Sequence, residues 1–168
     1  MNRSGAFDRV ALGATDVLVS RLAWGMWRFQ GDDLARARAM VDAALDAGIN
    51  LFDTADIYGF DGRDGFGDAE ILLGRLFAAD PGLRHKLALA SKSGVVPGVP
   101  YDSRADYLVA ACEASLRRLG TDHLDLFQVH RPDLLTHPAE VARALETLVA
   151  SGKGRSGGVS NYTRPQVA

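Results

Sequence analysis

Five short segments of strand character, Leu22–Trp27, Ile49–Phe52, Leu87–Ala90, Asp125–Val129 and Gly157–Val159, recur at intervals of about 28 to 38 residues. Amphipathic helical patterns lie between them, and a further helix is expected to begin near Thr163 after the last. This βα rhythm implies a parallel sheet with right-handed crossovers, because parallel neighbours cannot be joined by a tight turn. Two architectures share it, the doubly wound sheet and the eight-stranded (β/α) barrel. The first strand is not followed by a Gly-x-Gly-x-x-Gly turn, which removes the main signature of the dinucleotide-binding doubly wound form.

The helix signals are local. Asp32 or Asp33 can cap a first helix with Leu34, Ala37, Val41, Ala44 and Leu45 on its apolar face, and Gly48 suits its left-handed stop. A second helix from about Asp68 buries Ile71, Leu72, Leu76 and Phe77 and breaks at Asp80-Pro81-Gly82. Ser103 with Asp106 resembles a capping box for a third, which stops at Gly120. Pro138 fits the first turn of a fourth, with Val141, Leu145, Leu148 and Val149 inward and Gly152 at its end. Val10–Ser20 is expected to be a hairpin or extended lead-in, and the runs after Tyr58 and around Pro97 and Pro100 are expected to be loops.

Composition excludes several classes. The chain of 168 residues is expected to be one domain; 47% hydrophobic and 24% charged residues suffice for a folded core, and its charge of -2 gives no reason to expect a nucleic acid or membrane partner. Met1 to Asp8 lacks an apolar signal core, and no stretch approaches the roughly 18 apolar residues of a membrane span, so a cytoplasmic location is expected. Cys112, the one cysteine, falls at helical spacing with Leu108, Leu116 and Leu119 and is read as packing.

In a barrel, functional side chains gather at the C-terminal ends of successive strands. Here Gly25, Asp53, Lys92, His130 and Ser160-Asn161 follow the five strands in turn, and Tyr58 stands just beyond Asp53. Each alone has an ordinary explanation: an ion pair, a core histidine, a packed tyrosine. Together they suit the reduction of a carbonyl, which needs a hydride on carbon and a proton on oxygen. Tyr58 can give the proton, an ammonium such as Lys92 stabilises the phenolate left behind, Asp53 keeps that ammonium charged, and His130 can donate a hydrogen bond to the substrate oxygen.

The strings Asp53-Thr-Ala-Asp-Ile-Tyr58-Gly59, Ser91-Lys92-Ser-Gly94, Leu126-Phe-Gln-Val-His130-Arg-Pro-Asp133 and Gly158-Val-Ser160-Asn161 resemble the aldo-keto reductase family. All four occur in family order. The resemblance implies a barrel enzyme reducing aldehydes or ketones with NADPH, with Tyr58 as proton donor and Asp53, Lys92 and His130 completing a tetrad. It implies that Ser160 and Asn161 bind the nicotinamide carboxamide and that Gly25, Met26 and Trp27 line the cofactor and substrate cleft. The partner expected is a small carbonyl compound.

The sequence carries about five of the eight strands of such a barrel. By the resemblance, the loops that grip the pyrophosphate and the 2′-phosphate would lie beyond Ala168, so weak NADPH binding and little activity are expected of the chain alone. A non-catalytic fragment or binding module is the alternative, with self-association through open sheet edges near Leu22 and Val159. Two other patterns are set aside. Ser151-Gly-Lys153-Gly-Arg155-Ser-Gly157 has the wrong order for a phosphate loop and precedes a strand, and the seven-residue spacing of His123, His130 and His137 spans a strand and turns.

Overall fold

The computed structural model describes residues 8–167. Its centre is a five-stranded parallel sheet in the order β3-β4-β5-β8-β9, formed by Ala23–Gly25, Leu51–Asp53, Ala88–Ser93, Leu126–Val129 and Gly157–Val159. Helices α1 (Leu34–Asp46), α2 (Asp68–Ala79), α3 (Ala105–Leu119) and α4 (Pro138–Ala150) connect successive strands, and α5 (Arg164–Val167) follows the last. With its N-terminal hairpin, this is the TIM-barrel type of α/β fold with five strands of the barrel present. Spatial order follows chain order, as in a barrel and unlike a doubly wound sheet.

The register follows from the pleat. Trp24 pairs with Phe52 and Phe52 with Leu89, and all three turn toward the helices. Gly25, Asp53, Ala90 and Leu126 form the next row, on the opposite face. Lys92 shares that face with Asp53 because it lies two residues beyond Ala90. The helix-side core joins Met26, Phe29, Phe52, Leu73, Leu108, Phe127 and Leu148. A smaller cluster of Val17, Val19 and Ala88, with Leu51 against it, seats the antiparallel hairpin β1 (Arg9–Ala11) and β2 (Leu18–Ser20) at the N-terminal ends of the strands. Asn50 latches it: its Oδ1 accepts from the Ser20 amide at 2.7 Å and its Nδ2 donates to the Leu18 carbonyl at 2.9 Å.

The caps behave as their chemistry requires at three helices. Asp33 accepts from the Arg36 amide at 2.9 Å, Pro138 opens α4, and Gly120 closes α3 at φ 63°. Four expectations need correction. Arg104, not Ser103, precedes α3; the Ser103 amide instead donates to Asp133 at 3.1 Å, so the capping-box pattern is not used. Ile71 and Val149 point outward, because the buried stripe of α2 runs through Ala69, Glu70 and Leu73 and that of α4 through Ala144 and Leu148. β5 continues past Ala90 to Ser93, placing Lys92 inside the sheet. The segment around Pro97 and Pro100 forms a small hairpin, β6 (Val95–Val96) with β7 (Val99–Tyr101), not an open loop.

The outer edges of β3 and β9 carry no strand partner among the described residues. No described helix is long and apolar enough to cross a membrane.

Candidate active site

At the C-terminal edge of the sheet the register brings Asp53 and Lys92 together. Lys92 is 3% exposed, and its Nζ donates to Asp53 Oδ2 at 2.8 Å and to the Thr54 carbonyl at 2.8 Å. A buried ammonium needs such a carboxylate and further acceptors, since desolvation otherwise favours loss of its proton. The same Nζ lies 4.8 Å from the centre of the Tyr58 ring.

Tyr58 is held by a turn and not by a regular element. Its amide donates to the Ala55 carbonyl at 3.1 Å, and its carbonyl accepts from the Ala69 amide at the start of α2. Against its ring stand His130, edge-on with ring centres 5.7 Å apart, and Trp27, tilted at 5.8 Å. Trp27 is 69% exposed, leaving a broad aromatic face open beside the phenol.

His130 follows β8 and is held by its own amide, which donates to the Ser93 carbonyl at 2.8 Å. Its pKa is pushed down to about 4, first by burial and then by the positive charges of Lys92 and Arg131. The imidazole is therefore neutral at physiological pH and has one N–H to donate. Nδ1 is enclosed without a protein partner among the described residues, which leaves Nε2 as the nitrogen that meets the cleft.

Ser160 and Asn161 follow β9 beside this group. The Asn161 side chain donates from Nδ2 to the His130 carbonyl at 3.0 Å and to Ser160 Oγ at 2.9 Å. Asn161 is the non-glycine residue with positive φ, 63°, among those described. Such backbone is uncommon outside glycine and concentrates at functional sites. Its amide oxygen and the Ser160 hydroxyl proton remain free to meet another amide, so the pair fits the carboxamide end of a nicotinamide cofactor.

Of the residues singled out in the sequence, Asp53, Tyr58, Lys92 and His130 thus converge, and Asn161 is tied directly to His130. Gly25 pairs with Asp53 across β3 and β4. Met26 differs: the residue is fully buried, its side chain in the helix-side core and its amide donating to the Asp53 carbonyl at 2.9 Å, so it does not line the cleft. Sequence reasoning missed Asp56 and Glu70, which are 1% and 0% exposed just behind the tetrad. The signal for Glu70 was available, because it occupies the same helical stripe as Leu73 and Phe77.

The sequence model of the aldo/keto reductase family matches residues 21–168. A 6-dehydroglucose reductase of Novosphingobium aromaticivorans is 57% identical over 94% of this chain and 52% of its own length. A protein of the same name from Agrobacterium fabrum is 42% identical over 92% of the chain and 54% of its own length. Among solved structures, a glycerol dehydrogenase of Gluconobacter oxydans superposes with a TM-score of 0.81 at 36% identity, covering 96% of this chain and 51% of that one. An aldo-keto reductase of Bacillus halodurans in its holo form gives 0.76 at 33% identity, with 92% and 50% covered. The chain spans about half the length of the curated relatives it matches. The strand order, the motifs in series and the family match lead to one conclusion: the chain belongs to the aldo/keto reductase family.

Proposed function

We propose that this chain forms the catalytic half of an NADPH-dependent reductase that converts a polyhydroxylated aldehyde to the alcohol, with Tyr58 as proton donor. The observation that carries the reading is Lys92 Nζ, 2.8 Å from Asp53 and 4.8 Å from the Tyr58 ring centre, with the neutral His130 edge-on to that ring at 5.7 Å between centres. When bound, the cofactor supplies the hydride. Ser160 and Asn161 would hold its carboxamide through the Asn161 amide oxygen and the Ser160 hydroxyl. His130 Nε2–H orients the carbonyl oxygen, and Tyr58 gives that oxygen its proton as negative charge develops there. Lys92 stabilises the phenolate that remains, and Asp53 keeps Lys92 charged and aimed.

The substrate class rests on two supports. Two relatives are named 6-dehydroglucose reductases, and the exposed face of Trp27 beside Tyr58 suits the C–H face of a sugar, which packs on aromatic rings. A cytoplasmic location accords with a lone, buried cysteine, Cys112. The test is NADPH consumption by the protein carrying this chain, assayed with 6-dehydroglucose, other aldoses and simple aldehydes. Turnover that Tyr58→Phe abolishes is expected. No consumption by the wild type, or an unimpaired Tyr58→Phe, would overturn the reading.

A further inference from the structure

On the helix-facing side of β5, where apolar residues are the rule, Ser91 and Ser93 flank Lys92. Both are fully buried, and each donates its hydroxyl to a buried carboxyl group at 2.6 Å, Ser91 to Glu70 and Ser93 to Asp56. The two carboxyls differ in what else they meet. Glu70 has the guanidinium of Arg118 at 2.7 Å. Asp56 has no cation in contact, and its second oxygen is enclosed without a partner among the described residues.

We propose that Asp56 is a positioning residue that clamps the turn carrying Tyr58 to the strand carrying Lys92 through Ser93. The connectivity supports this directly. The Asp56 amide donates to the Lys92 carbonyl at 3.0 Å, its side chain takes the hydroxyl of the residue after Lys92, and Tyr58 lies two residues farther along the same turn. One residue thus holds both partners of the Tyr58–Lys92 contact from behind without touching the cleft. The Thr54 amide, which donates to the Ala90 carbonyl at 2.9 Å, extends the attachment on the near side.

The charge state follows from the surroundings. A carboxylate oxygen without donors inside a protein is far costlier than the oxygen of a neutral acid. The groups facing Asp56 are Ser93 of β5, Glu70 of α2 and Arg118 and Tyr107 of α3, and the nearby negative Glu70 opposes a second negative charge. Burial accordingly pushes the Asp56 pKa up to about 7, against the lowering effects of the Ser93 hydrogen bond, the Arg118 charge and the Ile57 amide. With the folded value above the unfolded one, its contribution to stability is full below the ordinary carboxyl range and is lost as pH rises through about 7.

The inference rests on the assignment of Tyr58 and Lys92 under Proposed function, but its test does not require turnover. The Lys92 side chain lies over the Tyr58 ring and takes a ring-current shift that reports their contact. Carbon-13 and proton NMR of the full chain would compare wild type with Asp56→Asn, Asp56→Ala and Ser93→Ala, alongside the pH dependence of each melt. Asp56→Asn, which keeps the shape and the hydrogen bond, is expected to retain the Lys92 shift and to gain stability over wild type as pH rises through neutrality. Asp56→Ala and Ser93→Ala are expected to lose at least half of that shift while remaining folded. In the active protein they should lower kcat about tenfold with KM for NADPH unchanged, and Asp56→Asn should stay within about threefold. An unchanged Lys92 shift in Asp56→Ala, or a loss in Asp56→Asn equal to that in Asp56→Ala, overturns the clamp. Should Asp56→Ala fail to fold, Ser93→Ala decides alone. A wild type without turnover would overturn the reductase assignment, leaving the NMR comparison to decide the clamp.

Discussion

Replacing Arg118 by methionine isolates the cost of a buried charge close to the site. Arg118 Nε meets Glu70 Oε2 at 2.7 Å, with the glutamate side chain fully buried and the arginine 20% exposed. The guanidinium also donates to Ser115 at 3.1 Å and lies over the Phe66 ring, so it ties α3 to α2 and to the end of the loop after Tyr58. Methionine keeps the aliphatic stem but leaves Glu70 with the Ser91 hydroxyl as its one remaining donor among the described residues. Breaking a buried pair from one side costs about 3–5 kcal/mol, and the partial exposure of Arg118 favours the lower end, about 3 kcal/mol. Glu70→Gln leaves the stranded charge on Arg118, which can turn to water, so its cost should be nearer 1.5 kcal/mol. The double variant should be more stable than the sum of the two losses predicts, since neither charge is then orphaned. Equilibrium urea unfolding at neutral pH measures all three. A loss under about 1 kcal/mol in Arg118→Met, or a Glu70→Gln variant less stable than Arg118→Met, would refute the reasoning.

Other outcomes follow from the same structure. His130 titrates at about 4 when folded against 6.5 in the reference state, so its contribution is intact above 6.5 and is lost as pH falls toward 4, by about 3 kcal/mol in all. His130→Gln should flatten that limb of the stability profile measured by thermal melts, and an unchanged profile would contradict it. Gly74→Ala would set a methyl group into the Arg118 carbonyl where α2 and α3 touch, and a loss of about 3 kcal/mol in denaturant unfolding is expected; a neutral substitution would show that the helices separate freely. Asp53→Asn removes the carboxylate 2.8 Å from Lys92 and should lower kcat at least tenfold in NADPH consumption assays; retained turnover would show that Thr54 alone holds the lysine. The edges of β3 and β9, without a strand partner among the described residues, should make the 168-residue chain associate with itself, which size-exclusion chromatography across concentrations reads; a monomer at every concentration would count against it.

What could be read in the chain itself was whatever depends on near neighbours. The alternation of strands and helices, the caps at Asp33, Gly120 and Pro138, and the placement of Asp53, Lys92, His130 and Ser160-Asn161 at the C-terminal ends of successive strands follow from spacing, backbone preference and the two-residue period of a strand. The strand-end series also predicted that Asp53, Lys92 and His130 would gather at one edge of the sheet, where the fold brings them together. Tertiary structure alone decided which of these groups share a low-dielectric interior. Register across β4 and β5 set Asp53 against Lys92, and packing of α2 and α3 over the sheet buried Glu70 with Arg118 but left Asp56 without a cation. It also took the Met26 side chain out of the cleft, turned Ile71 to solvent and made His130 a neutral donor. Those outcomes escape the sequence because the cost of a charge or an unpaired polar atom depends on everything packed around it, and residues that lie far apart in the chain supply those surroundings.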